Sequence, residues 1–305
     1  MGHRRPLIFC VLSLLVLSGC ATRLKVHDRP ISFSADRVNA TQRYIADHYG
    51  ESPEDISIVP RIIVLHWTAI DDFEETFAVF DREELDGSRP GLAAAGNVNV
   101  SIQFVVDRDG SIYRLMPETW MARHCIGLNY SAIGVENVGG GHGIDNLTDE
   151  QVEANIRLVR YLVRKYPTIR YLIGHMEYLE FEGHPLWLEL DESYRTEKID
   201  PGDRFMAAVR DAVAELGLEG PPSPGGAGTK EIPAPPGTVS KKLLAVSYRK
   251  MFPTGLLERR VPIKSPGTTA SDLLRRERNR ALGEKLMANS FVPSGERRRC
   301  EDRYS

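Results

Sequence analysis

Cysteine is scarce in this chain, with four in 305 residues, at positions 10, 20, 125 and 300. Residues so few and so far apart build neither a disulfide scaffold nor a cysteine-rich metal cluster, so an ordinary packed core must hold the fold. Long apolar runs are missing too. The stretch Leu7 to Leu17 falls well short of the roughly 20 residues a helix needs to cross a bilayer. With 42% hydrophobic and 27% charged residues, the composition excludes both a polytopic membrane protein and a wholly disordered one. Neither sign of charge prevails, since 39 Lys and Arg stand against 42 Asp and Glu, a net charge of −3. Nucleic acid is therefore not an expected partner. The balance is uneven along the chain, because residues 241–305 hold 16 Lys and Arg against 7 Asp and Glu, a local +9.

What is present at the N-terminus is an address. Arg4 and Arg5 precede the short apolar stretch, and Ser18, Gly19 and Cys20 follow it, the pattern of a secretory signal. Leu17-Ser18-Gly19-Cys20 resembles a bacterial lipobox. That resemblance implies a signal peptide over 1–19, lipidation of Cys20 and attachment to a membrane through it. Ala21 rather than Asp after the cysteine implies the outer membrane, facing the periplasm. Residues 20–35 read as a polar tether and 36–218 as a single globular domain. Gly220–Gly237 contains six Pro and five Gly, a composition that cannot bury a core, so 219–240 reads as a linker. The basic tail 241–305 reads as largely disordered, with a candidate basic helix over Ser271–Ala288 and no identifiable partner.

Within the globular part, Ser34 or Asp36 caps a helix through about His48, stopped by Pro53. Ile56 to Leu65 is a buried strand running into His66. Residues 72–85 form a helix with Phe73, Phe77 and Phe80 on one side. Val98–Val106 and Ser111–Leu115 form a hairpin about Asp109-Gly110, a pair suited to a primed turn. Ala132–Val138 is a further strand. Thr148 and Gln151 match a capping box before a helix with Val152, Ile156, Val159, Leu162 and Val163 at helical spacing. Tyr171–Gly174 is a short strand, and Asp203 caps a last helix closed by Gly217. Strands interleaved with helices, plus one antiparallel hairpin, predict an α/β fold with a central mixed β-sheet flanked by helices.

The chemistry gathers at strand ends. His66 terminates one buried strand, His175 another, and Asp200 sits on a loop just before the final helix. Two imidazoles and a carboxylate converging on one sheet edge make an N,N,O donor set with a fourth position left for water, the make-up of a catalytic zinc site.

Six pieces in order carry a family resemblance over about residues 58–216. They are His66-Trp67-Thr68-Ala69, Phe104 to Tyr113, His124, Asn129 to Glu136, Thr148-x-x-Gln151, and Gly174-His175 with Lys198-Ile199-Asp200-Pro201-Gly202. In these the chain resembles the zinc-dependent N-acetylmuramoyl-L-alanine amidases of the type-2, or peptidoglycan-recognition-protein-like, class. The resemblance implies Zn2+ held by His66, His175 and Asp200, with Glu136 and Lys198 as catalytic residues. It implies substrate contacts from Asn129 and Trp67, for His124 a contact to substrate, polarisation of a carbonyl or a structural role, and peptidoglycan or a muropeptide as substrate. Two alternatives remain, a non-catalytic muropeptide-binding module and a metal-dependent peptidase of the stem peptide.

The chain also departs from the pattern. Ile102 and Gln103 occupy positions where relatives carry Tyr and His, which leaves Glu136 as the only matched base. Arg123 and Cys125 flank His124 in place of the family's Trp and Ala; for Cys125 the default reading is a small buried apolar residue. The insertion Glu177–Glu197, with Trp187 and seven Asp or Glu, reads as a lid or wall of the cleft. His184 inside it is a rival metal ligand.

For the N-terminal address the expected outcome is that Cys20→Ser abolishes metabolic lipid labelling and impairs lipobox-dependent processing, with the intrinsic activity of the purified domain unchanged. A wild-type protein recovered soluble and unlipidated would overturn it.

Overall fold

The Ile- and Val-rich stretch read as a buried strand does form one, but it begins only after Pro60. In the computed structural model, which describes residues 24–87 and 90–222, β2 runs over Ile62–Trp67 with all six residues buried. Such a strand has both faces covered, as in the middle of a parallel sheet. The remaining strands are β1 (His27–Asp28), β3 (Phe104–Val106), β4 (Ile112–Arg114), β5 (Ala132–Asn137) and β6 (Tyr171–Gly174). They join β2 in one sheet of order β1-β4-β3-β5-β2-β6. Strands β3, β5, β2 and β6 run parallel, while β4 returns antiparallel to β3. The expected mixed α/β sheet is what the chain forms. The signal segment with Cys20, most of the linker and the basic tail lie outside the described residues. Among the described residues no helix is long and apolar enough to cross a membrane.

Alternation along the strands sorts the side chains onto two unlike faces. Ile63, Leu65, Ile133, Val135 and Leu172 meet two helices, α4 (Asp149–Lys165) and α5 (Asp203–Ala212), through Leu158, Leu162, Phe205 and Val209. Ile62, Val64, Ala132 and Ile173 instead meet irregular chain, including Cys125, Leu128, Tyr178 and Phe181. Helices α4 and α5 therefore pack one side of the sheet; on the other, loops predominate over β5, β2 and β6, and a helix carrying Phe73 and Phe80 packs on Val105 of β3. The cleft opens on the loop side.

Local signals explain most boundaries. The Ser34 hydroxyl accepts from the Arg37 amide at 3.3 Å and starts α1 (Ala35–Tyr49). Gly50, left-handed at φ 66°, ends it by donating to the Ala46 carbonyl, before the expected stop at Pro53. Asp72 caps α2 (Phe73–Asp81), which is shorter than predicted because Arg82 turns extended. A five-residue helix, α3 (Pro90–Ala94), follows; no sequence signal announced it. The capping box at Thr148 and Gln151 forms as expected. Asp203 is not the cap of α5: Gly202, at φ 88°, holds that position. Asp203 lies in the first turn, where its charge complements the helix dipole.

Two further expectations are corrected. The β3–β4 turn is not a primed two-residue turn. The Asp107 amide donates to the Ser111 carbonyl, and the Gly110 amide to the Asp107 carbonyl. Of the loop residues only Gly110 has positive φ, at 79°, which makes this the three-residue loop with a left-handed glycine. The tether 20–35 is docked wherever it is described. Strand β1 pairs parallel to β4, the Ile31 amide donates to the Leu115 carbonyl, and Leu24 and Val26 pack on the core. Arg37, 1% exposed, gives its guanidinium to the carbonyls of Ser32, Phe80 and Val100. Burial pushes it down to about 10, so it stays charged at neutral pH and fastens this strap to the domain.

Thr148 also donates to the Arg108 carbonyl at 2.8 Å, so it joins α4 to the β3–β4 hairpin as well as capping the helix. Thr148→Ala should lower unfolding stability by about 1–2 kcal/mol, read as a fall in urea midpoint at constant m-value.

Candidate metal centre and its cleft

Three neighbouring parallel strands end at one level. The register pairs His66 with Glu136 across β2 and β5, and Leu65 with Gly174 across β2 and β6. His66 therefore has Glu136 beside it on one flank and His175, the next residue after β6, on the other. Ligand sites of open α/β sheets lie at such carboxyl ends. The strand ends are pinned from the helical side by a chain of buried amides. Asn137 Nδ2 donates to the His66 carbonyl at 2.9 Å, and Asn155 Nδ2 of α4 donates to Asn137 Oδ1 at 2.6 Å. After the strand, Thr68 Oγ1 donates to the Ile70 carbonyl and accepts from the Gly139 amide. This holds Ala69 at φ 55°, a left-handed conformation uncommon for a residue with a Cβ.

Asp200 arrives from the loop before α5, tied down by a bond from the Met176 amide to its carbonyl at 2.9 Å. Its Oδ2 lies 3.0 Å from His175 Nδ1 and 3.3 Å from His66 Nδ1, and the two Nδ1 atoms are 2.9 Å apart. All three residues are buried. Zinc bonds of about 2.0–2.2 Å to N and O in a tetrahedron require donor atoms roughly 3.3–3.5 Å apart. The triangle is that size or slightly tighter, so the donor set fits zinc.

The electrostatics suit a cation as well. Burial pushes His175 down to about 4 against the opposing charge of Asp200. Burial also works against the Asp200 carboxylate, but the charge and hydrogen bond of His175, with those of His66, outweigh it and hold it well below the usual carboxylate range. A neutral His175 beside an ionised Asp200 is the protonation state in which such ligands bind metal.

The structure brings His66, His175, Asp200, Glu136 and Lys198 to one cleft. The rival His184 stands elsewhere, packed on Phe181 and Tyr171, with its Nε2 3.4 Å from the Tyr171 hydroxyl. Trp67, Asn129 and His124, expected as substrate contacts, also line this cleft, and each has internal partners as well. The Trp67 indole is 7% exposed and covers Gly140 so closely that a Cβ there would come within 2.3 Å of the ring. Asn129 Oδ1 accepts from the amides of His124 and Cys125, and its Nδ2 donates to the Tyr49 hydroxyl at 2.9 Å. His124 turns its Nδ1 to His66 Nε2 at 2.9 Å.

Sequence reasoning missed the polar staples of the loop side. Arg123, 4% exposed, donates to the carbonyls of Gly96, Val98, Leu92 and Ala95 and to the Tyr194 hydroxyl. Gln103, fully buried, accepts from the Gly134 amide and donates to the Trp120 carbonyl. Only the unusual choice of Arg and Gln among apolar neighbours hints at these roles. The insertion supplies one wall, with Tyr194 and Thr196 facing the cleft. It is anchored by Trp187 against Gly127 and by the Leu190 amide on the His48 carbonyl.

Residues 57–203, just under half of the chain and inclusive of His66, Glu136, His175, Lys198 and Asp200, match the family model described as N-acetylmuramoyl-L-alanine amidase. No curated protein matches the sequence. Among solved structures, the N-acetylmuramoyl-L-alanine amidase LysC from Clostridium intestinale URNW is 20% identical, over 64% of this chain and 99% of that one, with a TM-score of 0.39. The E. coli amidase AmiD, solved with anhydro-N-acetylmuramic acid-L-Ala-D-gamma-Glu-L-Lys, is 20% identical over 55% and 61%, with a TM-score of 0.36. Human PGRP-IBETAC, in complex with glycosamyl muramyl pentapeptide, is 16% identical over 51% and 84%, with a TM-score of 0.35.

Cys125 borders the cleft but is 1% exposed, and burial, then the charge of Asp200, pushes its thiol far up. It should resist alkylation in the native protein at pH 8 and react only on unfolding. Peptide mapping after iodoacetamide treatment checks this.

Proposed function

We propose that the protein is a zinc-dependent N-acetylmuramoyl-L-alanine amidase, hydrolysing the amide between the lactyl group of N-acetylmuramic acid and the L-alanine of a peptidoglycan stem peptide. The observation that carries the reading is the convergence of His66 Nδ1, His175 Nδ1 and Asp200 Oδ2 within 3.3 Å of one another, with Glu136 aligned beside His66 on the neighbouring strand. The family match over 57–203 supports the same activity.

An amide is a poor electrophile and water a poor nucleophile at neutral pH. Zinc in a site with three protein ligands supplies both a more acidic water, of pKa about 7, and polarisation of a carbonyl. The chain's own residues do the rest. Glu136, half-buried at the end of β5, takes the proton of the attacking water and returns it to the departing nitrogen of L-alanine, base and then acid. Lys198, two residues before Asp200 and close enough for its charge to act on His175 and Cys125, stabilises the negative oxygen that develops on the scissile carbon. The wall from Tyr194 to Thr196 limits access of bulk water from one side. The products are the lactyl carboxylate and a free α-amine on L-alanine. The N-terminal address would place this activity at the outer membrane, facing the periplasm, through Cys20.

His66→Ala and His175→Ala should each lose zinc and activity together, measured as metal content and as products identified by mass. Unchanged zinc stoichiometry in either variant removes that residue from the site. Glu136→Gln should keep zinc and fold while losing about 10²–10⁴-fold in kcat; turnover near wild type would refute the proton-shuttle role. Wild-type products cut within the stem peptide would identify a peptidase, and zinc binding without any product would identify a binding module.

A further inference from the structure

We infer that His124 is a positioning residue that fixes the tautomer and orientation of His66. The inference rests on the zinc reading of the site. Both ring nitrogens of His66 are committed. Nδ1 points into the triangle with His175 and Asp200, and Nε2 lies 2.9 Å from His124 Nδ1. A neutral imidazole carries one proton. If the Nδ1 lone pair goes to a cation, the proton sits on Nε2 and must be donated to His124 Nδ1. His124 is then required to accept at Nδ1 and to carry its own proton on Nε2. A metal-bound histidine is commonly held through its second nitrogen by a carboxylate or a carbonyl. Here another histidine takes that place.

Three features hold His124 to this task. Its backbone amide is tied to Asn129 Oδ1 at 2.8 Å, and Asn129 is itself fastened to Tyr49. Its neighbour Arg123 is bonded to four carbonyls of the 92–98 segment. Its ring stands edge-on to His66, at 81° with centroids 5.0 Å apart, in space left by glycine. A Cβ at position 134 would come within 2.8 Å of His124 Nδ1, 2.9 Å of its Cε1 and 2.3 Å of Ile102 Cδ1. Gly134 lies on β5 two residues before Glu136, on the same face. The strand that presents the proposed base thus leaves room for the group that aims the ligand. Ile102, where some relatives carry Tyr, fills the remainder of that space.

Zinc affinity of the purified full chain, measured by competition with a chromophoric chelator at pH 7.5, tests this. His124→Leu, which keeps bulk but offers no acceptor, should weaken zinc binding about 10–100-fold. His124→Gln, which restores an acceptor oxygen, should recover part of the loss. Affinity of His124→Leu within threefold of wild type would overturn the inference while leaving the amidase reading in place; a wild-type chain that binds no zinc would sink that reading first. Should His124→Leu fail to fold, the wild-type protein still decides. Long-range ¹H–¹⁵N spectra of the zinc-loaded chain should show the His124 proton on Nε2 and an unprotonated Nδ1. A proton on His124 Nδ1 would refute it.

Discussion

The parallel register of β5, β2 and β6 is the constraint on which the rest of the site depends. It sets His66 opposite Glu136 and brings His175 to the same level, so that three side chains meet at one sheet edge without any loop having to place them. A slip of one residue in either pairing would turn the displaced residue to the helical face. The slip is opposed from both faces. Ile63 and Leu65 would leave the α4 and α5 side for the loop side, and Ile62 and Val64 would make the reverse exchange. Asn137 and Asn155 add a directional lock, because the Asn137 amide, itself held by the Asn155 amide, reaches the His66 carbonyl only in this register.

The two faces of the sheet are stabilised by different physics. The helical face is mainly apolar, so area removed from water does most of the work there, with the buried amides of Gln151, Asn137 and Asn155 confined to the carboxyl ends of the strands. The loop face has less regular backbone to satisfy its own polar groups and relies on buried side chains to do so. Arg37, Arg123, Gln103 and Asn129 between them bond to carbonyls and amides of segments otherwise far apart in sequence. A buried guanidinium is costly unless every donor finds a partner. When most do, it holds several segments in one arrangement, which is what a cleft wall requires.

The insertion follows the same logic. It enters as a 3-10 helix over His175–Phe181, carries the Trp187 ring onto Gly127 and returns with Asp200. Glu177 pairs with Arg210 of α5 and accepts from the Gly174 amide. The Tyr178 hydroxyl donates to the Thr196 carbonyl across the base of the excursion. His48 Nδ1 lies 2.8 Å from Glu189 Oε1, which joins the far side to α1. An excursion of this length between two ligands is compatible with a rigid site because both of its ends and its middle are fastened.

Much of this was legible in residue order. The periodicity of α4, the capping box at Thr148 and the Ile-Val run ending at His66 are local signals, and local signals survive into the fold because they depend on neighbours within a turn or a strand. The family motifs marked His66, His175 and Asp200 for the same reason. Each sits in a short string whose spacing is set by one element. What residue order could not decide was partnership across long separations. The docking of residues 24–35 depends on β4, some 85 positions away, so their polar composition read as a tether. Trp67 and Asn129 line the cleft, but which internal partners hold them there, Gly140 and Tyr49, is set by packing. The preference for Asp200 over His184, only 16 residues apart, came down to which loop returns to the sheet edge. The pairing of His124 with His66 exists only because a glycine on a third segment leaves room for it. Side-chain chemistry and spacing are properties of the chain; which groups face each other is decided when the sheet closes and its faces are packed.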